Sequence, residues 1–582
     1  MPPPRVDVDE NGVDRTSGNY LPDVPEIRLG PSQDDQLNFS PRFRPGGSGG
    51  SWHDDYVMSA QFIQESGQTV VILKVFSESK KFTQSGSVYT PKIDDGSTLT
   101  GTTSSLRLTL PDGTYMDFQR FNPTYPSGSG IALYPTKLAK PDGEVIDFYY
   151  DSPIFNIGFG PTSTSRLTSA TSSKGYQIKY EYISDTTGGN PGTAAYYNNY
   201  FSVKKATVIN GKSDYCVNSS VACTGLSNVW PSLTRTSALS GTAMSPAGQT
   251  KTTELTDTLG RKYSFLENNV GNLPKALVGV KRPDATANNV TVDSRYDGTV
   301  RRVWAITIDG VTTNYRWTLS GDILTMTSEN ALAGQRVTTA DTKKGVVLTS
   351  ANELGQTTTY QYNTVGQLTR ITLPEGNYSS YSYDARSNVT EKRIVAKAGS
   401  GLADIVITAN YPPSCSNPLI CNKPTWFRDA KGNQTDFTYD TTHGGVLTVT
   451  SPADANGIRP QTRYTYTALY PWSKSSTGSF VQASNPIWKV TSVSSCRTTS
   501  SCAGTADETR TVISYEQGSS SVGSNLWPVT VTTSAGDGSI ASTMALICPL
   551  LSGPKLMIFW ITKETWNAEQ EASPGRDYRQ AA

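Results

Sequence analysis

Two histidines, His53 and His443, are all that the 582 residues contain. A zinc site built from histidines is thereby close to excluded, and a histidine-dependent triad has at most two positions to use. Charge is scarce as well. Asp, Glu, Lys and Arg make up 17% of the chain, against about 25% in ordinary soluble proteins. The 51 basic and 50 acidic residues nearly cancel, to a net charge of +1, which leaves no basic footprint for nucleic acid and no acidic tail. Long apolar runs are missing too. The nearest approach, Ala545 to Ile561, is interrupted by Pro549, Pro554 and Lys555, so no transmembrane segment is expected. The first residues, MPPPRVDVDE, have neither the basic start nor the apolar stretch of a secretory signal. The chain is expected to be cytoplasmic or to start inside a longer product. No segment before residue 560 sustains a helical apolar period.

What is present points one way. Tyr (30), Gly (50) and Pro (34) are plentiful, and Thr and Ser are dense throughout. Such a chain breaks often into turns and is poor in helix formers, an all-β composition. Its length suits several domains or a repeat array better than one core. Residues 1–50 are Pro- and Gly-rich, end in RPGGSGG, and read as an extended leader rather than core. Residues 51–250 carry short alternating segments. TVVILKVFS (69–77) is the most β-branched, and RLTLPDGTYMDFQRF (107–121) reads as strand, Pro-Asp-Gly turn, strand. Residues 251–540 hold the clearest repeats, and 541–582 lose the β period and look irregular or frame-shifted.

Six of the seven cysteines fall in close pairs: Cys216 with Cys223, Cys415 with Cys421, and Cys496 with Cys502. Each pair brackets a polar turn-forming stretch, with wider spacing than a zinc knuckle and no histidine near. Disulfides formed in an oxidising compartment fit best, with reduced inert thiols as the alternative.

Internal repetition carries the most information. GQTTTYQYN (355–363), GNYSSYSYD (376–384) and GNQTDFTYD (432–440) align on Gly355, Gly376 and Gly432. An aromatic follows each glycine by five positions and a tyrosine by seven. On a strand, residues two apart share a face. That places Tyr360 with Tyr362, Tyr381 with Tyr383, and Phe437 with Tyr439. The next residue, Asn363, Asp384 or Asp440, suits the first position of a type I turn, and Gly366 stands where such a turn wants glycine. One period is a hairpin. The 21-residue step from Tyr362 to Tyr383 lengthens to 56 from Tyr383 to Tyr439 and to 49 from Tyr466 to Tyr515. Both long gaps hold a cysteine pair, which predicts disulfide-tied excursions from a regular hairpin lattice.

The stretch YQYNTVGQLTRITLPEG (360–376) resembles the YD repeat of bacterial RHS proteins, which is shared with toxin-complex C components and teneurins. The resemblance is firmest over about 350–470 and continues more weakly on both sides. DENGVDRTSGNY (9–20) and GGSGGSWHDDY (46–56) also look like RHS openings. The resemblance implies a β-sheet spiral closing into a hollow shell, which in bacterial members encloses a C-terminal toxin. The family's aspartate-dependent self-cleavage motif has no counterpart here, so no catalytic residue is transferred. The chain is read as ending before that region and the toxin.

Other candidate chemistry is weak. Gly46-Gly47-Ser48-Gly49-Gly50 matches a nucleophile elbow in letters, but Pro45 before it and SWHDDYV after it supply neither strand nor helix. His53 beside Asp54 and Asp55 reads as a surface turn, and His443 in DTTHGG as a turn residue. Asp34–Asp35 and Asp94–Asp95 lack the loop pattern of a calcium site and read as solvated carboxylates. The tyrosine stripes suit ladder packing before sugar stacking. The expectation is a secreted or cell-surface, non-enzymatic RHS shell fragment with no cofactor and no nucleic-acid partner. Its toxin would normally lie in cis. The alternative is an adhesin binding cell-surface glycans.

Overall fold

The structure is a computed structural model that describes residues 8–30, 37–43, 52–54, 56, 58–76, 78–121, 132–152, 154–156, 161–163, 165–183, 200–219, 222–240, 249–269, 276–297, 300–539 and 541–545. It is all-β. Among the described residues there are 43 strands, β1–β43 in chain order, and only Tyr200 and Phe201 are helical. No helix among them is long and apolar enough to cross a membrane.

Most of the strands form one antiparallel meander in which each pairs with the next. Four two-stranded sheets stand outside it: Ile27–Leu29 with Leu37–Phe39 and Pro41–Phe43 with Trp52–Asp54 precede it, and two small hairpins are inserted within it. One lies between β13 (Val145–Asp151) and β16 (Arg166–Ser172), which pair directly. The other lies between β37 (Gln461–Leu469) and β40 (Ile487–Cys496), which also pair directly. β12 (Ala132–Ala139) pairs with its neighbour β11 (Tyr115–Gln119) and, through Ala132 and Leu133, with β5 (Ser59–Glu65). The sheet thus folds back on its own beginning. Pairing passes residue 250 without a break, from β19 (Ser232–Ser240) to β20 (Gln249–Thr256).

The turns themselves reveal that the sheet is a spiral. The Asp94 amide donates to Val365 O at 2.9 Å, and Asn422 Nδ2 donates to Pro111 O at 3.1 Å. The Trp488 amide donates to Asp142 O at 2.8 Å, and Asn525 Nδ2 to Lys174 O at 2.7 Å. Both members of these contacts advance together along the chain. A first coil, whose turns at Asp94, Pro111, Asp142 and Lys174 form one rim, is therefore capped turn by turn by a second coil. The approach is close. A Cβ on Gly143, whose φ is +96°, would stand 2.2 Å from Pro486 O, so glycine is required there by space as well as by backbone conformation.

The two coils are stabilised differently. Strands of the first bury alternate residues, as in YMDFQ of β11 and ILTMTSE (Ile323–Glu329). Their apolar sides form one cluster that includes Phe118, Tyr180, Phe265 and Trp317. From residue 357 on, most strand residues are half-buried on both faces.

The segment read as a leader contributes to that cluster. Val13 and Leu37 are fully buried, and so nearly are Ile27, Phe39 and Phe43. Its strands are three residues long, IRL, LNF and PRF, and each buries its two ends. Such short alternation among prolines and glycines escapes a periodicity test, yet it packs Phe39 edge-on against Tyr180 at 5.9 Å. Asp9 accepts the Tyr315 phenol at 2.7 Å, and the Val303 amide donates to Gly18 O.

Candidate functional site

The repeat unit is the feature to build upward. Gly355, Gly376 and Gly432 close hairpin turns, their amides donating to the carbonyls of Asn352, Leu373 and Asp429. Their φ angles of +74°, +86° and +83° are left-handed, where glycine is unstrained. The strands that follow carry Tyr360 and Tyr362, Tyr381 and Tyr383, and Phe437 and Tyr439. Gln361, Ser382 and Thr438 between them are exposed, while the flanking aromatics are not. Phe437 and Tyr439 stack at 6.4 Å.

Asn363, Asp384 and Asp440 then open the next turns. Asn363 Oδ1 accepts the amides of Val365 and Gln367, and the Gly366 amide returns to Asn363 O. Asp384 Oδ1 accepts from Arg386 and Asn388, and Asp440 Oδ1 from Thr442 and His443. A short acceptor side chain satisfies amides the reversal would otherwise leave bare.

The tyrosines do something the repeat pattern did not reveal. At Tyr362, Tyr383 and Tyr439 the register skips one residue on the partner strand, a β-bulge at the same place in each hairpin. The same skip occurs at Tyr182, Tyr466 and Tyr515. Each last tyrosine then reaches across to the preceding hairpin. Tyr362 Oη donates to Val347 O at 2.9 Å, Tyr383 to Leu368 O at 2.6 Å and Tyr411 to Val389 O at 3.2 Å. Tyr515 donates to Val490 O at 2.8 Å and Tyr182 to Leu167 O. Every one of these acceptors is the residue beside the bulge of the hairpin before, paired to Ala340, Tyr362, Tyr383, Tyr466 and Tyr150 respectively. A bulge disrupts the ladder, and the next tyrosine fills the gap. Tyr439 makes the equivalent bond to Pro424 O at 2.9 Å. The spacing of 15 residues recurs at Tyr182, Tyr362, Tyr383 and Tyr439, but it runs to a backbone carbonyl that no side chain marks. Burial pushes the Tyr383 phenol up to about 12, with the neighbouring Tyr381 adding to the shift.

The cysteine pairs are bridged: Cys216–Cys223 with Cα atoms 5.5 Å apart, Cys415–Cys421 at 4.9 Å and Cys496–Cys502 at 5.5 Å. The loops they close fold back onto the sheet instead of standing clear of it. The first covers a polar face. Lys179, fully buried, donates to Val217 O and Ser219 O, and Gln177 Nε2 to Cys216 O. The second is a strut in the seam between coils: Leu419 abuts Gly113, and the Arg386 guanidinium bonds the carbonyls of Pro412, Pro413 and Cys421. At the third, Arg463 donates to Ser500 O.

The remaining candidates do not assemble into chemistry. Ser48, Asp34, Asp35 and Asp55 lie outside the described residues. His53 sits on a short strand (Trp52–Asp54) with its backbone opposite Arg42. Asp95 is engaged by Lys80, and Asp94 and Asp95 accept the amides of Gly96 and Ser97. Burial raises the Asp95 carboxyl, but Lys80 and the hydrogen bonds from Ser97 together hold it below its usual range. His443 is in a turn, as DTTHGG suggests, and its side chain is buried.

The RHS Repeat family pattern matches residues 347–377 and 362–395, the stretch where the tyrosine bonds run in unbroken succession. The chain carries RHS repeats. Teneurin-4 of Homo sapiens and of Mus musculus are each 30% identical over 128 residues, 22% of this chain and 4% of theirs. This RHS-repeat chain thus spans a small part of the curated relatives it matches. Among solved structures, the Photorhabdus luminescens Tc holotoxin pore with TccC3 is similar over 87% of this chain and 26% of its own, at 11% identity and a TM-score of 0.34. The TcdB2–TccC3 complex is similar over 80% of this chain and 26% of its own, at 12% identity and a TM-score of 0.28.

Proposed function

We propose that the chain is a non-enzymatic wall of an RHS shell, secreted or displayed at the cell surface, whose role is to enclose and deliver a toxin domain carried in cis. The observation that carries this reading is the seam. A sheet whose second coil stacks turn to turn on its first is built to surround a space, not to shape a cleft. Two further features support it. The asparagine, aspartate and tyrosine side chains of the repeat are engaged in turn caps and bulges. Three short disulfides suit an oxidising compartment.

Electron microscopy of the purified chain tests the wall directly: a curved wall around a cavity is expected, and a solid particle overturns the reading. A glycan array separates it from the adhesin, since the wall predicts no saturable binding. The toxin role is tested by reading the coding sequence on both sides of this chain. A downstream toxin domain preceded by further YD units is expected, and an adhesin anchor in that place would refute it.

A further inference from the structure

His443 is placed where one proton can reach the seam. Its side chain is 3% exposed. The ring centroid lies 4.4 Å from Tyr466 and 4.7 Å from Trp488, stacked on the latter. Nδ1 accepts the Gly445 amide at 3.1 Å. A nitrogen that accepts carries no hydrogen, so the neutral ring holds its proton on Nε2, which is 3.5 Å from an Asp440 carboxylate oxygen.

The groups facing the ring can be named from each side. Asp440 comes from the same turn, and its Oδ1 also accepts the amides of Thr442 and His443. Lys423, on the segment after Cys421, donates to Gly444 O and adds positive charge. β37 contributes the Tyr466 phenol and β40 the indole of Trp488. A second proton has to enter at Nδ1, where the Gly445 amide already points, so two donors would oppose each other. The resulting cation would be buried between aromatic rings beside an ammonium, with one carboxylate to offset both.

Trp488 connects this ring to the first coil. Its backbone amide makes the 2.8 Å bond to Asp142 O, two residues after Pro486 has packed against Gly143. We propose that protonation of His443 unlatches the seam between the two coils at Trp488 and Asp142, making the wall acid-sensitive at this point. Burial holds the imidazole below its ordinary value of 6.5, outweighing the pull of Asp440 in the other direction, and Lys423 adds to the effect of burial. The folded value is depressed, so the opened turn takes the proton first. Stability from the neutral ring is complete above the unfolded value and is lost as pH falls below it. Local opening should rise by up to about tenfold per pH unit until the folded value is reached.

The test is hydrogen exchange with mass spectrometry on the full chain from pH 7.5 to 5, corrected for intrinsic rates. Peptides containing Trp488 and residues 440–446 should lose protection, by up to about tenfold per pH unit below 6.5. Peptides at the Asp94–Val365 and Lys174–Asn525 contacts should not. In His443→Gln the pH dependence should vanish. Equal acid loosening along the whole seam, or loosening that survives His443→Gln, overturns the proposal. Should that variant fail to fold, an NMR titration of the native chain decides, with His53→Gln assigning the two rings. A His443 midpoint at or above 6.5, or a proton found on Nδ1, overturns it equally.

Discussion

The first coil and the second solve the same problem with the same hairpin and different physics. In the first, Phe118, Leu108 and Met116 lie within a contiguous apolar cluster and are essentially inaccessible. In the second, Leu368–Thr372 and Val389–Val395 are half-exposed from end to end. There the hairpins are joined by phenol-to-carbonyl bonds across bulges, by Asn and Asp turn caps, and by the seam. Area burial is non-directional, whereas these bonds are directional and recur at fixed spacing. A wall one sheet thick cannot bury much, so it is held by geometry. The difference also explains why the repeat is so regular in the second coil: a misplaced tyrosine misses its carbonyl, while a misplaced leucine in the first coil still finds grease.

The comparison can be broken most forcefully in the core. Phe118→Ala should lower stability by about 3–5 kcal/mol, the cost of a large cavity. Leu368→Ala should cost clearly less, because its site is open enough to relax. Chemical denaturation of both variants checks this, and equal losses would mean that the second coil has a core of its own. Next in size is reduction of the bridges, each contributing about 2 kcal/mol by loop closure. Cys415–Cys421 should matter most locally, because its loop is a strut against Gly113 and Arg386. Limited proteolysis after reduction should cut first around residues 411–425, and cutting in the first coil instead would refute the strut.

Smaller still, Tyr383→Phe should cost about 1 kcal/mol for the lost bond to Leu368 O, whose carbonyl stays half-buried. Tyr381→Phe, whose hydroxyl has no such role in the ladder, should cost less, and the reverse order would remove the bulge-filling argument. A further effect is set by pH. The Tyr383 phenol titrates at about 12 instead of 10, so the folded state keeps a proton that the unfolded state loses. Its contribution is present below pH 10 and declines as pH rises from 10 to 12. Absorbance of the ionised phenols against pH should show several late-titrating groups, Tyr20, Tyr315 and Tyr439 among them, and one fewer in Tyr383→Phe.

Much of this was legible in the sequence, for reasons that can be located. Gly355, Gly376 and Gly432 mark their turns because each closes one with a left-handed backbone, and Asp384 marks its own because its carboxylate caps the amides of Arg386 and Asn388. These are local causes, confined to a few residues. The phenol bonds were not legible, because the acceptor is a backbone carbonyl 15 residues upstream and no side chain marks it. Neither was the seam, where Leu419 and Asn422 meet the turn at Pro111 and Gly113 from some 300 residues away. The burial of Val13 and Leu37 escaped for the opposite reason. The signal was local but only three residues long.

One consequence of the seam concerns time. The Lys174 carbonyl receives its bond from Asn525, 351 residues later. At a synthesis rate of about 5–20 residues per second, the first rim waits roughly 20–70 s with its turn carbonyls exposed before the second coil exists to cover them. Hairpins close in microseconds, so each coil is locally complete long before the two can meet. The order of events is therefore fixed by the ribosome, and the vulnerable species is a finished first coil with nothing yet stacked on it.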